Sequence, residues 1–143
     1  MNIAQALKKK NRLQGELSEL FNSYLVSNRT IVGNNDIIEK SNDIYIKIKN
    51  MIDEISNLKA QIAKATYPVA QRINKMSYLK ELLKHTKSLE IESKAPRYNV
   101  DVPEICYDVS INDTKKKQYI SDLNKQINDI QDELDDYNAS TQV

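Results

Sequence analysis

The sequence predicts a mainly α-helical protein, built of long antiparallel helices in a coiled-coil-like bundle with one small β-hairpin before the C-terminal helix. Three observations predict it. Apolar residues recur at alternating spacings of three and four in three stretches, most cleanly in the last, where Ile120, Leu123, Ile127, Ile130, Leu134 and Tyr137 mark one narrow helix face. Charged residues make up 29% of the chain and hydrophobic ones 40%, with only two glycines, a balance that suits long helices with solvated flanks better than a turn-rich enzyme. Only the segment at about 97–111 abandons the helical period for an alternating one.

The 143 residues read as a single helical domain, with helices at about 2–27, 36–65, 69–92 and 113–138 and the hairpin at about 97–111. The first helix carries Ile3, Leu17 and Tyr24 on one heptad position and Ala6, Leu13 and Leu20 on its partner. Lys10 interrupts that seam, as a polar residue does when it sets register or partner number at some cost in stability. From Ser27 to Asp36 the period is lost and Asn, Gly and Asp supply turn chemistry, so the chain reverses there.

The second helix, starting at Asp36 or Ser41, reads Ile44, Ile48, Met51, Ile55, Leu58, Ile62 and Ala65. Tyr45 and Ile52 widen its stripe until it can face two neighbours. Tyr67-Pro68 then imposes a kink or a restart, because proline disfavours helical geometry before it yet suits a first helical turn. The third helix continues through Ile73, Met76, Leu79, Leu82, Leu83 and Leu89. Alternation of Tyr98, Val100 and Val102, and again of Ile105, Tyr107, Val109 and Ile111, gives the two strands of the hairpin, with Pro103 second in the turn between them. Asn112 or Asp113 caps the last helix, and the tail NASTQV is expected to fray.

The net charge of +1 gives no global electrostatic reason to bind nucleic acid. Lys8 to Lys10 with Arg12, Lys115 to Lys117, and the acidic cluster Asp132, Glu133, Asp135 and Asp136 read as solvated helix surface. Gly15 and Gly33 are too far apart to form a phosphate-cradling loop. No apolar run approaches the roughly 18 residues that cross a bilayer, and Met1 to Lys10 holds no signal-peptide core. A cytoplasmic protein without membrane contact is therefore expected, and the lone Cys106 suits a reducing compartment.

His85 is the only histidine, which removes His-based metal clusters, and no orienting carboxylate or nucleophile accompanies it. It reads as an exposed helical residue. Cys106, in the second expected strand, reads as a small packing residue. Asp53/Glu54 and Glu90/Glu92 are neighbours on helix surfaces, with no cleft to desolvate either member. No catalytic residue, metal or cofactor is expected, and the protein does not read as an enzyme. Eight tyrosines against one phenylalanine is an unusual ratio. Arg97, Tyr98 and Tyr107 on the hairpin are the binding candidates, because Arg and Tyr suit contact surfaces and stacking on planar ligands. Ordinary packing of amphipathic rings at a hairpin-helix junction is the alternative.

The opening NIAQALKKKNRLQGELSEL carries an Ala-x-x-Leu segment running into an Arg-x-x-Leu-Gln-like stretch, followed by Asn28 at the helix end. PEICYDVSIN holds Glu104 and Ile105 of a Ser-Glu-Ile-type strand, and LDDYNASTQV holds Asn138 and Thr141 of an Asn-Trp-Thr-Thr-type ending. On these residues the chain resembles, over nearly its whole length, the septicolysin-like family of small bacterial proteins. It departs from that family where IAKATYPV replaces an Asn-rich helix end, where Met76-Ser77-Tyr78-Leu79 replaces an Arg-Asp-x-Leu segment, where Ala139 replaces a Trp, and where the connection around Tyr67 is shorter. A site built on those Asn, Arg or Asp residues is missing here. The resemblance implies an α-helical oligomer with a small β element, and the family's toxin-like name is not carried over as function.

The expected function is that of a non-enzymatic homo-oligomeric helical scaffold or interaction protein. Its helix seams are formed by Leu13, Leu17, Leu20, Ile48, Ile55, Ile62, Ile120, Leu123, Ile127, Ile130 and Leu134. An extended helical hairpin buries little alone, and seams from sister chains would supply the missing contact. The rival reading is an oligomer of bacterial or phage origin that sequesters a small nucleotide signal between subunits through Arg97, Tyr98 and Tyr107. A membrane-active toxin-like protein and a holdase chaperone are further alternatives.

Overall fold

The structure, a computed structural model, describes residues 1–29, 31–33, 40–94 and 103–143. It is mainly helical. The order is α1 (Ile3–Val26), α2 (Ser41–Thr66), a 3-10 turn (Tyr67–Val69), α3 (Ala70–Lys87) and α4 (Asp113–Ser140). The 3-10 turn is the restart expected at Pro68. Two compact units are present, Met1–Pro68 with Asp135–Val143 and Val69–Leu134.

In the first unit α1 begins in a capping box. The Gln5 amide donates to Asn2 Oδ1 at 2.8 Å and the Asn2 amide donates to Gln5 Oε1 at 3.0 Å, so two amides that no helical carbonyl can reach are satisfied reciprocally. The heptad positions of α1 and α2 then meet. Ala6, Leu13, Ile55, Leu58 and Ile62 form one buried cluster, with Leu7, Leu17, Met51 and Val143 packed against it. The buried Ser41 hydroxyl donates to the Tyr24 carbonyl, one of the orphan carbonyls at the end of α1, and so fastens the two helices where the chain reverses. Helical geometry begins at Ser41, the later of the two expected starts; residues 34–39 lie outside the described residues.

The tail expected to fray is held. The Ile3 amide donates to the Thr141 carbonyl, the Val143 amide to the Met1 carbonyl and Asn2 Nδ2 to the Ala139 carbonyl, each at 3.0 Å. Asn2 and Gln142 form an antiparallel bridge. Nearby, the Tyr137 hydroxyl donates to the Ala65 carbonyl at 2.9 Å, in the last turn of α2, where Pro68 has no amide hydrogen to offer.

In the second unit α3 ends at Lys87, short of the expected 92, with the Ser88 and Leu89 amides returning to the carbonyls of His85 and Thr86. Its only buried residue is Thr86, whose hydroxyl donates to the Leu82 carbonyl at 2.8 Å. Asn112 caps α4, its Oδ1 accepting from the Lys115 amide at 2.9 Å. Of the α4 seam, Leu123, Ile127 and Leu134 are buried and Ile120 and Ile130 half-buried.

The hairpin expectation is corrected over the residues that can be read. Its first half, including Arg97 and Tyr98, lies outside the described residues at 95–102. Residues 103–111 form no strand, and Cys106 makes an isolated antiparallel bridge to Lys94 just after α3, with the Tyr107 amide donating to the Ser93 carbonyl at 2.8 Å. Alternation stabilises a strand only when one of its faces is buried. Ile105 and Tyr107, which share the would-be inner face, are 52% and 55% exposed.

Candidate interaction site

The residues best placed to act are apolar side chains that the helices leave uncovered. On α1 the line through Ile3 and Leu7 recurs about five turns later at Phe21 and Leu25. Ile3 is fully buried and Leu7 half-buried, whereas Phe21 is 45% and Leu25 73% exposed. On α2, Tyr45 and Ile52 are 49% and 40% exposed. Each of these residues follows a seam residue by one position: Phe21 follows Leu20, Leu25 follows Tyr24, Tyr45 follows Ile44 and Ile52 follows Met51.

Two antiparallel right-handed helices wind in opposite senses when followed along the chain from one viewpoint. The position after the seam on one therefore faces the same side as the position after the seam on the other. Phe21, Leu25, Tyr45 and Ile52 thus share one flank of the α1–α2 hairpin, and the Tyr24 and Tyr45 rings pack with centroids 6.3 Å apart. The opposite flank consists of the positions before the seam and is charged. There Lys9 Nζ lies 2.7 Å from Glu54 across the two helices and Arg12 pairs with Glu16 at 3.4 Å.

In the second unit Leu82, Thr86, Ile111, Tyr119 and Leu123 line a mostly apolar hollow of about 400 Å³, with Asp122 and Gln126 at its edge. Ile73, Tyr78 and Leu82 of α3 are 38%, 71% and 52% exposed, so the apolar residues of this helix are only partly covered.

The residues singled out from sequence divide three ways. The seam residues Leu13, Ile48, Ile55, Ile62, Leu123, Ile127 and Leu134 are buried, and Leu17, Leu20, Ile120 and Ile130 are half-buried. Tyr107 lies on the rim of a hollow of about 430 Å³ beside Glu90, Glu92 and Asp108, a carboxylate lining that repels a phosphate. Cys106 is exposed, not packed, and His85 is exposed as expected, 3.9 Å from Glu81 one turn earlier. Among the described residues there is no cluster of His, Cys, Asp and Glu fit to hold a metal ion, and no helix long and apolar enough to cross a membrane.

Phe21 and Leu25 were not singled out by the heptad pattern, because they stand beside the seam and not on it. The signal that finds them is the repeat of Ile3 and Leu7 as Phe21 and Leu25 on one line of the same helix. No protein-family model, no curated protein and no solved structure matches the chain. The likeness to septicolysin-like proteins therefore rests on the short motifs quoted above.

Proposed function

We propose that the protein is a non-enzymatic helical scaffold or interaction protein that works as a homo-oligomer, its helices joining those of sister chains in coiled-coil-like packing. The observation that supports this reading is the wide apolar stripe on α2, used on one side by α1 and left open at Tyr45 and Ile52 on the other. A helix with apolar residues on two adjacent faces is stable in water when both are covered. The ligand-binding alternative has no comparable support, since Arg97 and Tyr98 lie outside the described residues and the surroundings of Tyr107 are acidic. The cytoplasmic placement stays with this proposal.

Sedimentation equilibrium on the full chain tests the proposal. The expected result is a mass that rises with protein concentration to a defined multiple of the monomer, without added ligand. A monomer throughout the micromolar range would overturn the proposal.

A further inference from the structure

Three features of the open flank of the α1–α2 hairpin, its charge, its area and its boundary, bear on what covers it. The first is charge. On α1 the positions that follow the seam are Ala4, Leu7, Asn11, Gln14, Ser18, Phe21 and Leu25, and none is ionisable. On α2 the same flank carries Lys49 and Lys59 but no acidic residue, while the opposite flank holds the ion pairs. Depletion of charge with aromatic side chains at the centre is the composition of an interface core.

The second is area. At the exposures given above, Phe21, Leu25, Tyr45 and Ile52 together present on the order of 400 Å² of mostly apolar surface. A standard interface covers about 800 Å² per partner, of which about 57% is non-polar, so these four residues supply most of the apolar share of one such interface. The third is the boundary of the patch. At the Ile3 end the apolar line is already covered, Ile3 being fully buried and Leu7 half-buried.

We infer that this flank is the surface by which two copies of the chain pair, hairpin against hairpin, around a two-fold axis that passes close to Phe21 and runs across the helices. The inference rests on the homo-oligomeric reading and adds the surface and the symmetry to it. A two-fold axis sets each central residue against its own copy, so a charge there would meet a like charge. Phe21 and Tyr45 at the axis carry none, and Lys49 stands one helical turn beyond Tyr45. A foreign partner recognised through charge would call for the reverse pattern. The axis crosses the helices because a lengthwise axis would set the two buried Ile3 ends side by side, where little apolar surface is left to pair. A crosswise one overlaps the open halves and leaves the Ile3 ends of the two copies at opposite outer ends. The product is a short four-helix contact.

The test uses the full chain and two readouts. In sedimentation equilibrium, Leu25→Glu is expected to raise the dimer dissociation constant about 30-fold or more, whereas Val26→Glu, equally exposed but off the flank, is expected to change it less than about threefold. In a Cys106→Ser background, Phe21→Cys is expected to form a disulfide with its own copy under mild oxidation, and Val26→Cys to remain reduced. An oligomer unmoved by Leu25→Glu, or a Phe21→Cys that oxidises no faster than Val26→Cys, overturns the pairing surface and leaves the homo-oligomeric reading standing. A wild-type chain that stays monomeric overturns both.

Discussion

Ile3 and Leu7 lie five turns before Phe21 and Leu25 on α1 and all four are apolar, yet Ile3 is buried and Leu7 half-buried while Phe21 and Leu25 are exposed. Apolar character alone does not separate them. Among the described residues, the Thr141 carbonyl accepts from the Ile3 amide at the first end, whereas Leu25 at the other stays 73% exposed. Burial along a helix is decided by the cover available, and helix propensity and amphipathicity only make a face ready for one.

The largest expected effect breaks the covered end. Ile3→Ala removes a side chain with no exposed surface and leaves a cavity, at a cost of about 3 kcal/mol in urea denaturation. Phe21→Ala removes a larger side chain. Measured on dilute, monomeric protein it should nonetheless cost about 1 kcal/mol or less, because nearly half of that ring already meets water. Equal costs at the two positions would mean that the open end is covered in the monomer after all.

Removing Thr141, Gln142 and Val143 should convert the covered end into a second open one. The truncation loses the Val143 packing and the backbone bonds of Ile3 and Val143, about 2 kcal/mol together. It should also lower the cost of Ile3→Ala, since neighbours that share a contact are not additive. An unchanged Ile3→Ala cost in the shortened chain would assign the burial of Ile3 to some other neighbour.

The seam half of this arrangement was legible in the sequence. Leu13, Ile48, Ile55 and Ile62 recur with the helical period, and the same period that identifies the helix identifies its buried face. The cover was not legible. Asn2 and Gln142 meet from opposite ends of the chain through backbone bonds, which any side chain permits and no periodicity announces, so NASTQV read as a fraying tail. The segment 103–111 misled in the opposite direction. Its alternation of Ile105, Tyr107 and Val109 is a genuine pattern, but a strand pattern becomes a strand only against a neighbour that pairs its edge and a core that buries its face. Here, among the described residues, Lys94 supplies one bridge, and Ile105 and Tyr107 stay more than half exposed. The candidate surface lay between these cases, since Tyr45 and Ile52 stood out as a widened stripe while Phe21 and Leu25 did not.

The smallest expected effect concerns the other flank. Lys9 and Glu54 bridge α1 and α2 at 2.7 Å, closer than the Arg12–Glu16 pair on the same flank. Their side chains are 36% and 49% exposed, so water and salt screen the attraction and two long side chains lose rotamer freedom to make it. A double-mutant cycle with Lys9→Ala and Glu54→Ala should give a coupling of about 0.5 kcal/mol or less, shrinking further at about 1 M salt. The two flanks of the hairpin would then divide their roles: the one with the ion pairs keeps its side in water at almost no gain in stability, and the one with Phe21, Leu25, Tyr45 and Ile52 is left for the proposed pairing of copies. A coupling above about 2 kcal/mol would remove that division, because the charged flank would then be holding the hairpin together as the core does.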